Sequence, residues 1–239
     1  TEESIITQQA ISVLYAKVLD RGKSEEALMQ IQELNKLLDN KQLAIFIEFR
    51  LGLINEEYGR YDLAVENYGY VIRNKVDTDL RYGGVANRGM ARILLSKDNL
   101  DSAEFHFLAA VKACRTIGNG ALEGIALREF ARVCEKKKQT NRALKNYRAS
   151  LSIFGDLNNA EELANTYNEV GAFYYRTSNY ERAIANLKLA LKHAKEANTI
   201  YPMQRCYKLL SRCYNKVGKK EEVLKVQYEH LGITEMIDR

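Results

Sequence analysis

The chain has 239 residues, 46% hydrophobic and 28% charged, with 36 Lys and Arg against 31 Asp and Glu and a formal charge of +5. That balance is enough to bury a core, and it excludes a membrane-spanning helix, because no window approaches about 18 uninterrupted apolar residues. One proline, Pro202, in a chain dominated by Leu, Ala, Glu, Lys, Arg and Asn lets helices run with few breaks, so the expected fold class is all-α.

The N-terminal stretch TEESIITQQAISVL is acidic where a signal peptide would be basic, so no targeting segment is read and a cytoplasmic location is expected. The first residue is Thr1 rather than Met, which leaves room for a leader or a neighbouring domain outside this sequence. An apolar helical pattern at Ile11, Leu14 and Val18 then leads into GKSEEALMQIQELNKLL, with Ala27 at a small position. The next unit, LGLINEEYGRYDLAVENYGYVI, supplies Leu51, Gly52, a Gly59-x-Tyr61 turn, Ala64 and Tyr68. A third places Ala91 before DNLDSAEFHFLAAV, with Leu100, Ala103, Phe107 and Ala110. In the fourth, Phe130 and Ala131 precede QTNRALKNYRASL with Ala143 and Tyr147.

The fifth unit is the most complete. Tyr167, Val170, Gly171 and Tyr174 follow the i, i+3, i+4, i+7 spacing of one helical face, Thr177-Ser178-Asn179 interrupts it, and Ala183, Leu187 and Ala190 begin a second face. A glycine inside a helix costs about 1 kcal/mol against alanine, so Gly171 is expected where the second helix crosses the first, near Ala183. Ser178 and Asn179 are turn and N-cap types, and Glu181 suits the positive end of the second helix dipole. The sixth unit keeps Tyr207, Leu210, Ser211, Tyr214 and Gly218, but Val223 and Gln227 weaken its second helix, as in a capping repeat.

Aligned on the small residue of the second helix, the units recur at Ala27, Ala64, Ala103, Ala143, Ala183 and Val223, spaced by 37, 39, 40, 40 and 40 residues. Such a period predicts a solenoid of stacked hairpins in a single domain, 1–239, with repeats at about 8–44, 45–83, 84–123, 124–163, 164–203 and 204–239.

Leu51-Gly52 with Gly59-x-Tyr61-x-x-Ala64, and Val170-Gly171 with Tyr174 and Tyr180-x-x-Ala183, resemble the tetratricopeptide repeat (TPR) family, whose commonest repeat is about 34 residues long. The resemblance covers about residues 8 to 230. It departs from the commonest form in lacking the terminal proline of each repeat and in its period of 40. Repeats of this length are similar to those of bacterial regulatory TPR proteins, kinesin light chains and G-protein-modulator scaffolds. The resemblance implies an all-α, right-handed superhelical solenoid of about six antiparallel helix hairpins, with a concave groove lined by the first helices.

No catalytic constellation is visible, and the chain is read as a non-enzyme without a cofactor or metal. Cys114, Cys134, Cys206 and Cys213 have no C-x-x-C spacing and read as reduced core residues, while His106, His193 and His230 are scattered. The run from Gly118 to Gly124 does not match G-x-G-x-x-G and reads as an inter-repeat turn.

The informative feature is a second stripe on the first helices. By the TPR resemblance, Asn165, Asn168, Ala172, Tyr175 and Arg176 line the groove. At whole periods of 40 residues stand Arg88, Arg128 and Lys208 at the Asn168 position, and Arg92, Arg132 and Arg212 at the Ala172 position. Like charges at i, i+4 cost roughly 0.2 to 0.5 kcal/mol per pair, so three such pairs in register suggest a basic groove rather than an ordinary solvated face. Phe49 and Tyr175 would add apolar contact, and Asn165 and Asn168 would hydrogen-bond a peptide backbone.

The sequence therefore predicts a protein- or peptide-binding scaffold whose basic groove takes an acidic segment. The alternative is the peptide-sensing region of a signalling or transcription regulator whose output domain lies outside this chain. Nucleic acid is disfavoured, since the chain has no run of five or six basic residues and no regular aromatic interleaving. Self-association through the terminal repeats is suggested by Leu231, Ile233 and Ile237.

Overall fold

The computed structural model describes residues 28–30, 32–33, 35–36, 40–74 and 80–237. Among these residues the secondary structure is entirely helical. The complete helices are α1 (Lys41–Glu57), α2 (Tyr61–Arg73), α3 (Leu80–Ser96), α4 (Leu100–Thr116), α5 (Gly120–Lys136), α6 (Thr140–Asp156), α7 (Ala160–Arg176), α8 (Tyr180–Glu196), α9 (Ile200–Lys216) and α10 (Lys220–Ile237). The first-repeat residues Ile11, Leu14, Val18 and Ala27 lie outside the described residues. From α3 onward the first helices start at 80, 120, 160 and 200, so the period of 40 is met to the residue. The starts expected at 84, 124, 164 and 204 fall four residues inside these helices.

The regularity is set by the links. Most helices end on a residue with positive φ: Gly59, Asp98, Gly118, Lys138, Asn158, Ser178, Asn198 or Gly218. The residue after it then donates its backbone N–H to a carbonyl five positions back, as Arg60 does to Asn55 at 2.8 Å and Asn179 to Tyr174 at 2.9 Å. This left-handed cap closes the outgoing helix. The same residue opens the next one: Asn99, Asn119, Asn159 and Asn179 each accept, through the side-chain oxygen, from a backbone N–H three residues on. Asn179 thus fills its expected capping role. One link chemistry serves both within and between hairpins, which gives the chain an underlying step of 20 residues.

The contacts divide into two compact units, Thr1–Gly118 and Asn119–Arg239. In the first, α1 pairs with α2 and α3 with α4, α2 stacks on α3, and the first helices α1 and α3 touch. Its core gathers Ile45, Phe49, Ala64, Tyr68, Val71, Ala86, Met90 and Ile93. In the second, α5 pairs with α6, α7 with α8 and α9 with α10, and the first helices α5, α7 and α9 adjoin in turn. Its core joins Ala164, Ala183, Leu187, Ala194, Met203, Tyr207, Leu210, Cys213 and Tyr214, among others.

Small residues set the helix spacing. Ala64, Ala103, Ala143 and Ala183 are fully buried. A Cβ on Gly171 would lie 2.6 Å from Leu187 Cγ, and one on Gly124 would lie 2.7 Å from the ring of Phe154. No helix among the described residues is long and apolar enough to cross a membrane. All four cysteines are buried thiols outside any disulfide, and burial pushes the Cys206 and Cys213 thiols up to about 11.

Candidate peptide-binding face

The exact 40-residue step puts equivalent positions of the first helices in register. The ninth residue of each helix is Phe49, Arg88, Arg128, Asn168 or Lys208, and the thirteenth is Leu53, Arg92, Arg132, Ala172 or Arg212. The structure gives these two rows different surroundings.

The ninth row turns toward the neighbouring first helix. Phe49 is buried in the core, its ring 4.8 Å from that of Tyr82. The guanidinium of Arg128, on a mostly buried side chain, donates to the Glu162 carboxylate and, at 3.2 Å, to Thr166 Oγ1 on α7. Asn168 is 3% exposed, and its amide donates to Cys206 Sγ of α9 at 3.3 Å. The structure therefore engages the Asn168 amide between α7 and α9. Lys208, on the last first helix, is exposed.

Several cations of the row's flanks are matched by carboxylates one hairpin away. In the first unit, Arg92 donates to Glu56 Oε1 from Nε at 2.9 Å and Nη2 at 2.5 Å. In the second, Arg176 donates to Glu135 Oε2 from Nη2 at 2.6 Å, and Arg205 to Glu169 Oε1 at 2.8 Å. A buried tyrosine holds the far oxygen of two of these carboxylates: Tyr68 donates to Glu56 at 2.7 Å and Tyr147 to Glu135 at 2.5 Å. Burial, reinforced by the adjacent carboxylate, drives both phenol pKa values well above the usual tyrosine range.

Charge patterns within single helices do not pair these carboxylates with their cations. The signal was present: Glu56 and Arg92 are 36 residues apart, Glu169 and Arg205 are 36, Arg128 and Glu162 are 34, and Glu135 and Arg176 are 41. Opposite charges about one repeat apart mark pairs between stacked first helices, whereas a search within single helices finds only the like-charged i, i+4 pairs.

What stays open is concentrated on α5, α7 and α9. A cleft of about 310 Å³ is lined by Arg128, Glu129, Arg132, Glu161, Asn165, Glu169, Tyr201, Pro202 and Arg205. Its three arginines face three glutamates, so the cleft is balanced rather than purely basic. Arg132 is exposed on its rim, and Arg212 is exposed at the same register two first helices on, with Ala172 between them. Among the described residues, Arg132, Lys208 and Arg212 form no hydrogen bond or ion pair. Tyr175 is partly buried, its ring 5.7 Å from Tyr180, and packs against the core cluster. In the first unit, Leu53, Glu56, Glu57, Tyr61, Arg92, Ile93 and Ser96 line a second cleft of about 320 Å³.

Comparison with solved structures agrees on a TPR-like helical-repeat fold. BtubC (BKLC) from P. vanneervenii superposes with a TM-score of 0.72 at 15% identity, over 94% of this chain and 92% of that one. The apo form of the quorum sensor NprR from B. thuringiensis gives 0.74 at 16% identity, over 96% of this chain and 65% of that one. A Rap protein complexed with competence and sporulation factor gives 0.73 at 15% identity, again over 96% and 65%. The chain thus spans about two thirds of the Rap and NprR chains. No protein-family model matches the sequence, and no curated protein matches it.

Proposed function

We propose that the chain is a non-catalytic, regulatory peptide-binding scaffold, and that the first-helix face of its second unit holds an extended segment carrying acidic residues. The observation behind this reading is the pair Arg132 and Arg212, which stand exposed and, among the described residues, unpaired at one register, while Arg128, Arg176 and Arg205 are engaged by glutamates. A peptide carboxylate gains a charge-assisted hydrogen bond from either arginine without displacing an internal partner. Ala172 leaves room for the peptide between them, and Asn165 on the cleft offers an amide to its backbone. The glutamates of the same cleft would select against a uniformly acidic segment and favour one with spaced acids. NprR is a quorum sensor, and the Rap protein is complexed with competence and sporulation factor; both fit a sensing role on this fold.

The test is a panel of fluorescent 10-residue peptides with zero to four spaced acids, titrated by anisotropy against the wild type and Arg132→Glu/Arg212→Glu. Affinity should rise with acid content and fall at least about tenfold in the double variant, with unchanged circular dichroism, since both side chains are exposed. It should also weaken from 50 to 300 mM salt, because exposed ion pairs are screened over about 8 to 10 Å. Binding that ignores both peptide acidity and the double substitution would overturn the assignment.

A further inference from the structure

The last helix exposes an apolar stripe, and two of its three positions are partly buried on α2 and α8. Leu224 is 68% exposed, Tyr228 79% and Leu231 55%, at i, i+4, i+7 along α10. Leu224 and Leu231 are the fifth and twelfth residues of α10. The fifth and twelfth residues of α8 are Ile184 and Leu191, which pack against the cluster containing Met203, Tyr207 and Leu210 of α9. Those of α2 are Val65 and Ile72, which pack against the cluster containing Ala86, Met90 and Ile93 of α3. On α2 and α8 these two positions thus pack against clusters that include residues of the following first helix. Ile233, by contrast, is 7% exposed and belongs to the core.

The polar register repeats in the same way. The ninth residue of a first helix reaches the third and seventh residues of the next one: Arg128 meets Glu162 and Thr166 of α7. Asn168 meets Cys206, the seventh residue of α9. Lys208 holds this position on α9, exposed and, among the described residues, unpaired.

We propose that the end face formed by α9 and α10 docks an amphipathic α-helix from a partner, with apolar residues at its fourth, eighth and eleventh positions and an acid at its third. The apolar positions are those of Met203, Tyr207 and Leu210, the α9 members of the cluster against which Ile184 and Leu191 of α8 pack. They would cover Leu224 and Leu231, and the acid would pair with Lys208 as Glu162 pairs with Arg128. Docking continues the stacking interface already repeated along the unit, and it requires nothing of the Arg132 and Arg212 face.

The probe is the peptide AEELANTYNEVGAFYYR, the sequence of α7, which has Glu at its third and Leu, Tyr and Val at its fourth, eighth and eleventh residues. It is stapled on its outer side to hold the helix and titrated against the full chain. Saturable binding is expected, weakened at least about tenfold by Leu224→Asp and about tenfold by Lys208→Glu, and restored to Lys208→Glu when the third residue of the peptide is changed from Glu to Lys. Arg132→Glu/Arg212→Glu should leave it unchanged, so a failure here is separable from a failure of the peptide face. Absence of saturable binding, or binding indifferent to Leu224→Asp and Lys208→Glu, would overturn the proposal. So would a concentration-dependent dimer that Leu224→Asp dissolves, because the stripe would then belong to a second copy.

Discussion

Tyr147 and Gly124 show how single residues hold this fold. The Tyr147 side chain is 1% exposed and its hydroxyl supports Glu135, which in turn grips Arg176. Tyr147→Phe removes the donor and leaves a largely buried carboxylate oxygen unsupported, a loss of about 1 to 3 kcal/mol in chemical unfolding. The phenol also sets a pH dependence. Its folded pKa lies above the unfolded value of about 10, so the neutral form is favoured in the folded state. That stability is complete below about pH 10 and is lost as pH rises beyond it. Melting temperatures from pH 8.5 to 11.5 should therefore drop more steeply for the wild type than for Tyr147→Phe, and parallel curves would rule the mechanism out. Among the glycines, an added Cβ at position 124 would meet Phe154 ring atoms at 2.7, 2.9 and 3.0 Å, while one at position 155 meets nothing within 4 Å. Gly124→Ala should lower stability by about 1 to 3 kcal/mol through overpacking. Gly155→Ala should raise it by up to about 1 kcal/mol through helix propensity, as read by denaturant midpoints.

At the scale of elements, the links decide the geometry. Lys138 holds φ 59° in the left-handed region, and Gln139 opens α6 without a side-chain cap. Lys138→Gly relieves a conformation that costs a non-glycine residue about 1 to 2 kcal/mol. Gln139→Asn supplies the cap that Asn119, Asn159 and Asn179 already make, worth about 1 kcal/mol. The double variant should melt several degrees above the wild type, and calorimetry that shows no gain would contradict this account of the links. Much of this was legible in the sequence, because local chemistry writes it there. The glycine and alanine positions located the crossings, and Asn179 marked a helix start. The approximate repeat bounds, counted from the small residue of the second helix, fall about one turn inside the first helices, whereas the asparagine caps mark the helix ends.

For the molecule as a whole, the recurrence of small residues was enough to establish stacked helical hairpins, since that pattern depends only on spacing along the chain. The proposed binding face was less legible. Arg88, Arg92, Arg128, Arg132, Lys208 and Arg212 look alike in sequence, yet the fold distinguishes them: Arg92 and Arg128 meet Glu56 and Glu162, while Arg132 and Arg212 remain open. Ion pairs between repeats depend on which side chains the stacking brings together, and that is a property of three-dimensional register. Specificity on such a face comes from the unpaired cations rather than from the net charge of +5. The central claim is tested most directly by inverting both partners. The affinities of wild type and Arg132→Glu/Arg212→Glu are measured for one spaced-acid peptide and for the same peptide with each acid replaced by lysine. The wild type should prefer the acidic peptide and the double variant the lysine peptide. An unchanged preference in the double variant would show that Arg132 and Arg212 do not read the ligand.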